Sequence, residues 1–123
     1  MAGQNLTGWA RINAAFFNSI KGFRATWENE EAFRQEVYLL IVAAPLALWL
    51  GGSGIEKALL LGSVLLVLIV ELLNTGIEVV VDRISFDRHE LSGRAKDIGS
   101  AAVLTSLVLA AIVWVSVLGS RFL

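Results

Sequence analysis

The sequence contains no cysteine. Disulfides, thiolate metal sites and cysteine nucleophiles are therefore excluded at once. Its single histidine, His89, leaves one chain too few imidazoles for a histidine-based zinc site. The formal net charge of −1 gives no electrostatic reason to expect nucleic acid as a partner. The Walker pattern GxxxxGK[ST] occurs nowhere, so there is no glycine-rich loop of that kind to cradle phosphates. Charged residues are also scarce, at 17% against 56% hydrophobic, and the hydrophobic residues come in long runs, which an ordinary soluble domain does not show. With 123 residues the chain makes one domain at most.

What is present reads as a set of helices. Residues 1–7 form a short polar lead. Over residues 8–27, Trp9, Ile12, Phe16, Ile20, Phe23 and Trp27 recur at helical spacing, and Arg11, Asn18 and Lys21 lie on much of the opposite side. That pattern predicts an amphipathic helix lying in the membrane interface rather than a cleaved leader, since the segment has no continuous apolar core. A charged cluster, Glu28 to Glu36, flows without a break signal into the apolar run Val37–Leu50. The run is too short to cross a bilayer alone, so the first span is placed at about 32–52, with Arg34, Gln35 and Glu36 at its edge and Pro45 as a possible kink. Gly51-Gly-Ser-Gly54 predicts a tight antiparallel return. The second span is placed at about 55–81 and the third at about 98–119, with the polar segment 83–97 between them. Ala95-xxx-Gly99 and Ser106-xxx-Ala110 are small-residue pairs that permit close helix approach. Trp49 and Trp114, near span ends, read as interfacial anchors.

The second span carries the unusual feature. At 100° per residue, Glu71, Asn74, Glu78 and Asp82 fall at roughly 0°, 300°, 340° and 20° on a helical wheel, with Thr75 at about 40°. Carboxylates at membrane depth are costly and face a protein interior or a water-filled cavity. A whole stripe of them marks a site.

Lysine and arginine set the orientation. Four lie at or before Arg34 and four within 83–96; Lys57 and Arg121 are the remaining two. The positive-inside rule puts the amino terminus and the 83–97 segment in the cytoplasm and the carboxyl terminus outside. An alkaline phosphatase fusion after Leu123 is expected to be active and one within 83–96 inactive; the reverse pattern would overturn this topology.

The cytoplasmic end thus collects Glu30, the carboxylate stripe and the basic loop. Oxygen donors with cationic neighbours suit magnesium and phosphate chemistry, in which one or two carboxylates hold the metal alongside substrate phosphates. A further glutamate is available as general base. Phosphoryl transfer to a membrane-dissolved substrate fits these parts. A proton- or cation-coupled transporter also uses intramembrane glutamates, and the residues alone leave both readings open.

Three motifs make the sequence recognisable: Glu30-x-Ala-Phe-Arg-Gln-Glu36; Val70-Glu-Leu-Leu-Asn-Thr-Gly-Ile-Glu78 with Val81-Asp-Arg83; and His89-Glu-Leu-Ser-Gly-Arg-Ala-Lys-Asp97 followed by Gly99-Ser-Ala-Ala. Together they resemble the small bacterial integral-membrane diacylglycerol kinases along essentially the whole chain. The resemblance implies an all-α membrane protein, a homotrimer of three-span subunits each preceded by the amphipathic helix. It also implies magnesium- and ATP-dependent phosphorylation of the free hydroxyl of diacylglycerol to phosphatidic acid in the bacterial inner membrane. By motif, Glu71 is implied as the catalytic base and Asn74 as its polar partner. Glu30 and Glu78 are implied as magnesium ligands, and Lys96 and Asp97 as ATP contacts. Asp87, Arg88 and His89 are implied as the nucleotide-lining loop, and Arg11 and Asn18 as nucleotide-facing positions of the first helix. Asn18 stands where an aromatic residue is expected, and Phe86-Asp-Arg88 departs from the usual loop. An undecaprenol kinase would share this catalytic motif. In the family, active sites are shared between subunits.

Overall fold

The computed structural model describes residues 5–123, so the first four residues of the polar lead lie outside it. The described chain folds as four helices: α1 (Gly8–Asn29), α2 (Glu31–Leu50), α3 (Gly54–Ile84) and α4 (Glu90–Phe122). α2, α3 and α4 are each long and apolar enough to cross a membrane. α3 is the shared neighbour: α2 packs on it, α4 packs on it, and α1 leans on α2.

The junction between α1 and α2 is one residue, Glu30, in extended conformation at φ −123° and ψ 108°. The chain therefore breaks inside the charged cluster, where no glycine or proline announced it. Side chains and backbone stabilise the corner together. The Glu30 N–H donates to the Thr26 carbonyl at 2.9 Å and the Arg34 guanidinium donates to the Trp27 carbonyl at 2.6 Å, occupying carbonyls that a helix end leaves free. Two aromatic pairs then hold α1 against α2: Phe23 stacks on Phe33 with centroids 6.5 Å apart, and Trp27 meets Tyr38 edge-on at 5.8 Å. The rest of the α1 stripe stays uncovered, Trp9 being 84% exposed.

The return between α2 and α3 is tight because of its small residues. Gly51 ends α2 and is buried; a Cβ there would meet the Ala47 carbonyl at 2.8 Å and the Lys57 amide at 2.9 Å. Ser53 caps α3 by accepting from the Glu56 N–H at 3.2 Å, and the Glu56 carboxylate accepts from the Gly52 N–H at 3.1 Å. This reciprocal arrangement is close to a capping box. Pro45 sits inside a continuous α2.

The interior is small. Its apolar part includes Phe33, Ala43, Ala47, Leu60, Val64, Val67 and Ala110. Ser106 and Ala110 are buried, as is Gly99 nearer the start of α4. Trp114 is not an outward-facing anchor. Its side chain is half-buried, and its indole N–H donates to the Leu60 carbonyl at 3.0 Å, pinning α4 to α3. An indole N–H away from water needs an acceptor, and the neighbouring helix supplies one. Trp49 does lie outward, 78% exposed.

The chain buries little of its own apolar surface. It exposes 8867 Å², roughly 2,400 Å² above the ~6,400 Å² expected of a soluble 13.3 kDa monomer. Most of the large side chains of α2–α4 that remain exposed are Leu, Ile and Val, a surface suited to lipid or to further protein.

Candidate active site

α3 positions the site. By helical rise, Glu71 lies about 26 Å along α3 from Gly54, near the far edge of a ~30 Å hydrocarbon layer. Glu71 is 4% exposed, and Thr75, one turn on, is also buried. Asn74 is half-buried between two carboxylates: its Nδ2 lies 3.4 Å from Glu71 Oε2 and 3.5 Å from Glu78 Oε1. These are long contacts, weak singly, but one amide bridges two anions that would otherwise repel. The spacings of three and four residues place all three groups on one face.

Glu30 reaches the same region from the α1–α2 corner. Its carboxyl is held above the ordinary value of 4.5, first by partial burial and then by the nearby Glu78 carboxylate; Arg34 opposes the shift and Asp82 adds to it. Glu30 and Glu78 are near enough for their charges to act on one another, and a pair of hard-oxygen donors suits magnesium. They also leave coordination positions for water and phosphate. No third carboxylate or imidazole joins them in a metal-binding group among the described residues.

Lys96, near the start of α4, is tied to Asp82 at 2.8 Å across the α3–α4 seam. Asp82 therefore pairs with neither Arg83 nor Arg94, which leans instead on Glu90 at 3.4 Å. Asp82, Asp87, Arg88, His89 and Lys96 border one cleft of about 200 Å³. His89 caps α4, its Nδ1 accepting from the Leu91 N–H at 3.0 Å, so Nε2 is the nitrogen left for other work. Asp97 is exposed on the first turns of α4. Arg11 and Asn18 are not brought to this group. Along α1 they lie about 28 Å and 18 Å from Glu30.

A larger cleft, about 520 Å³, runs between α1 and α3. Its walls include Gly22, Phe23 and Thr26 on one side and Leu72, Thr75, Gly76 and Val79 on the other, with Glu30 at its edge.

Two residues that the sequence reading named without giving them a place in the site face it. Glu36 is 8% exposed, its Oε2 has no hydrogen-bond partner, and the charge of Glu71 acts on it from α3. The sequence signal was its place as the last acid before the apolar run, read there as the edge of a span. Gly99 is the other: a Cβ at that position would collide with the Asn74 side chain.

These features define a helical membrane protein with an acidic, oxygen-donor site at one end of its bundle. Comparison with known proteins gives the chain a family. The family model for prokaryotic diacylglycerol kinase matches residues 17–118. A diacylglycerol kinase of Escherichia coli (strain K12) is 53% identical over 96% of this chain and 97% of its own length. A Haemophilus influenzae diacylglycerol kinase is 50% identical over 91% of this chain and 95% of its own. One from Pseudomonas aeruginosa is 47% identical over 91% of each. The chain belongs to the prokaryotic diacylglycerol kinase family.

Proposed function

We propose that the chain transfers the γ-phosphate of MgATP to the free hydroxyl of diacylglycerol, giving phosphatidic acid, at the cytoplasmic face of the bacterial inner membrane. The observation that carries this reading is the cleft between α1 and α3. Its walls are largely apolar, it ends at Glu30, and it borders the α3 segment that bears Glu71, Asn74 and Glu78. A lipid lying in it presents a headgroup hydroxyl to the carboxylates while its chains remain in the membrane.

Glu71 accepts the hydroxyl proton as the alcohol oxygen bonds to the γ-phosphorus, and the bond to the departing ADP oxygen breaks. Asn74 holds Glu71 and Glu78 apart at fixed positions, so little reorganisation is needed during reaction. Glu30 and Glu78 would hold magnesium, which when bound neutralises charge on the phosphate oxygens. Lys96 brings a cation to the same phosphates, exchanging part of its pairing with Asp82. Asp87, Arg88, His89 and Asp97 face the nucleotide. The long separation of Arg11 and Asn18 from Glu30 along α1 fits a site to which another subunit's α1 contributes, and the family resemblance implies that the assembly is a homotrimer.

The test is ATP-dependent phosphorylation of diacylglycerol by purified protein in mixed micelles with magnesium, undecaprenol being assayed in parallel. Turnover on diacylglycerol is expected. Preference for undecaprenol would overturn the lipid assignment and keep the chemistry. No turnover on either by folded protein would overturn the kinase reading.

A further inference from the structure

We propose that Gly99 is a positioning residue. The bare α4 backbone at that point seats the Asn74 amide so that its nitrogen spans Glu71 and Glu78. The inference rests on the reading of those two carboxylates as working groups.

The contact is unusual among the helix glycines. At Gly22, Gly62, Gly76, Gly93 and Gly119 an added Cβ would meet nothing within 4 Å. At Gly99 it would collide with Asn74 Oδ1 and lie 3.1 Å from Cγ and 3.8 Å from Cβ; all three nearest atoms belong to Asn74. Gly99 is buried, so the added methyl group has no solvent to escape into. The Asn74 Oδ1 that occupies this space is itself buried and accepts no hydrogen bond. A buried carbonyl without a donor is unfavourable, so the amide is not oriented by its oxygen. It is oriented by its nitrogen, which the carboxylates draw at 3.4 and 3.5 Å, and by Gly99, which lets the oxygen point at α4. Any side chain at position 99 takes the oxygen's place. Asn74 must then rotate, carrying its nitrogen off both carboxylates, or the helices must part.

The experiment is a double-mutant cycle on the full-length enzyme with Gly99→Ala, Asn74→Ala and the pair, with Gly119→Ala as the control for helix propensity. Gly99→Ala is expected to lower kcat about tenfold or more while the KM for diacylglycerol holds, because the displacement acts on catalytic geometry rather than on the lipid cleft. Added to Asn74→Ala, it should change kcat by less than about twofold, because the colliding atoms are already gone. Additive losses would overturn the proposal by showing that residue 99 acts through helix packing at large. An unaffected single variant would overturn it too. If Gly99→Ala fails to fold, recovery of folding in the double variant supports the contact and continued failure overturns it. A Glu71→Gln enzyme run alongside keeps two failures distinct: activity there would remove the base assignment, whereas the cycle reports the coupling of residues 74 and 99 by itself.

Discussion

Glu71→Gln is expected to lower kcat by about 10²–10⁴-fold, the usual contribution of a positioned general base, while MgATP still binds. The substitution keeps the shape of a side chain that is 4% exposed and removes only its capacity to take a proton. Position is what gives this carboxylate its value. α3 carries it to the edge of the hydrocarbon, Asn74 holds one of its oxygens, and Thr75 and Val67 pack on neighbouring turns of the same interior. Glutamine can stay in that packing by turning its amide oxygen to Asn74, so the folded protein should survive. Nucleotide binding by fluorescence or calorimetry, read beside turnover, separates loss of the base from loss of the fold. Turnover near the parent level would remove Glu71 from the proton-transfer role.

The second large effect concerns the metal. Glu30→Gln and Glu78→Gln should each raise the magnesium concentration needed for half-maximal activity by about tenfold or more, since magnesium sites built on so few protein carboxylates depend on each charge. A pH dependence accompanies this. Because burial and Glu78 hold the Glu30 carboxyl above 4.5, it keeps its proton to a higher pH in the folded protein than in the unfolded chain. Without metal, that group contributes less stability as pH rises through the window above 4.5, because ionisation then favours the unfolded chain. Magnesium needs the ionised form, so its stabilising effect should grow across the same window. Thermal unfolding with and without magnesium, as a function of pH, reads both trends, and Glu30→Gln should flatten them. Unchanged magnesium dependence in both variants would sink the ligand assignment.

The stripe Glu71–Asn74–Glu78 was legible because helical periodicity alone puts those residues on one face, whatever the tertiary structure. The three long apolar helices were legible because hydrocarbon sets their length and composition. The corner at Glu30 was legible only as a gap between the helix placed at 8–27 and the span placed from about 32. Its residues are acceptable helix formers, and the aromatic pairs that accompany the break, Phe23–Phe33 and Trp27–Tyr38, are contacts between segments that no local pattern displays. Trp114 was misread for a similar reason: a tryptophan near a span end looks like an anchor until the packed helix offers a carbonyl to its N–H. Gly99 was legible as a point of close helix approach and Glu36 as the edge of a span, but their link to the site depends on what faces them, Asn74 in one case and Glu71 in the other. The pairing of Lys96 with Asp82 likewise needed the α3–α4 seam, since fourteen residues separate the two in the chain.

The large uncovered surface of the protomer has a thermodynamic consequence. In a soluble protein, the heat-capacity increment and the denaturant slope both scale with the area that unfolding newly exposes to water. Here much of the apolar surface is already outside the fold of the single chain, and in a membrane or in detergent amphiphile must cover it. Both quantities will therefore report how much amphiphile leaves the chain as well as how much of the interior opens. A melting temperature for this enzyme is a property of the protein–amphiphile particle, and values measured in different detergents describe different folded states.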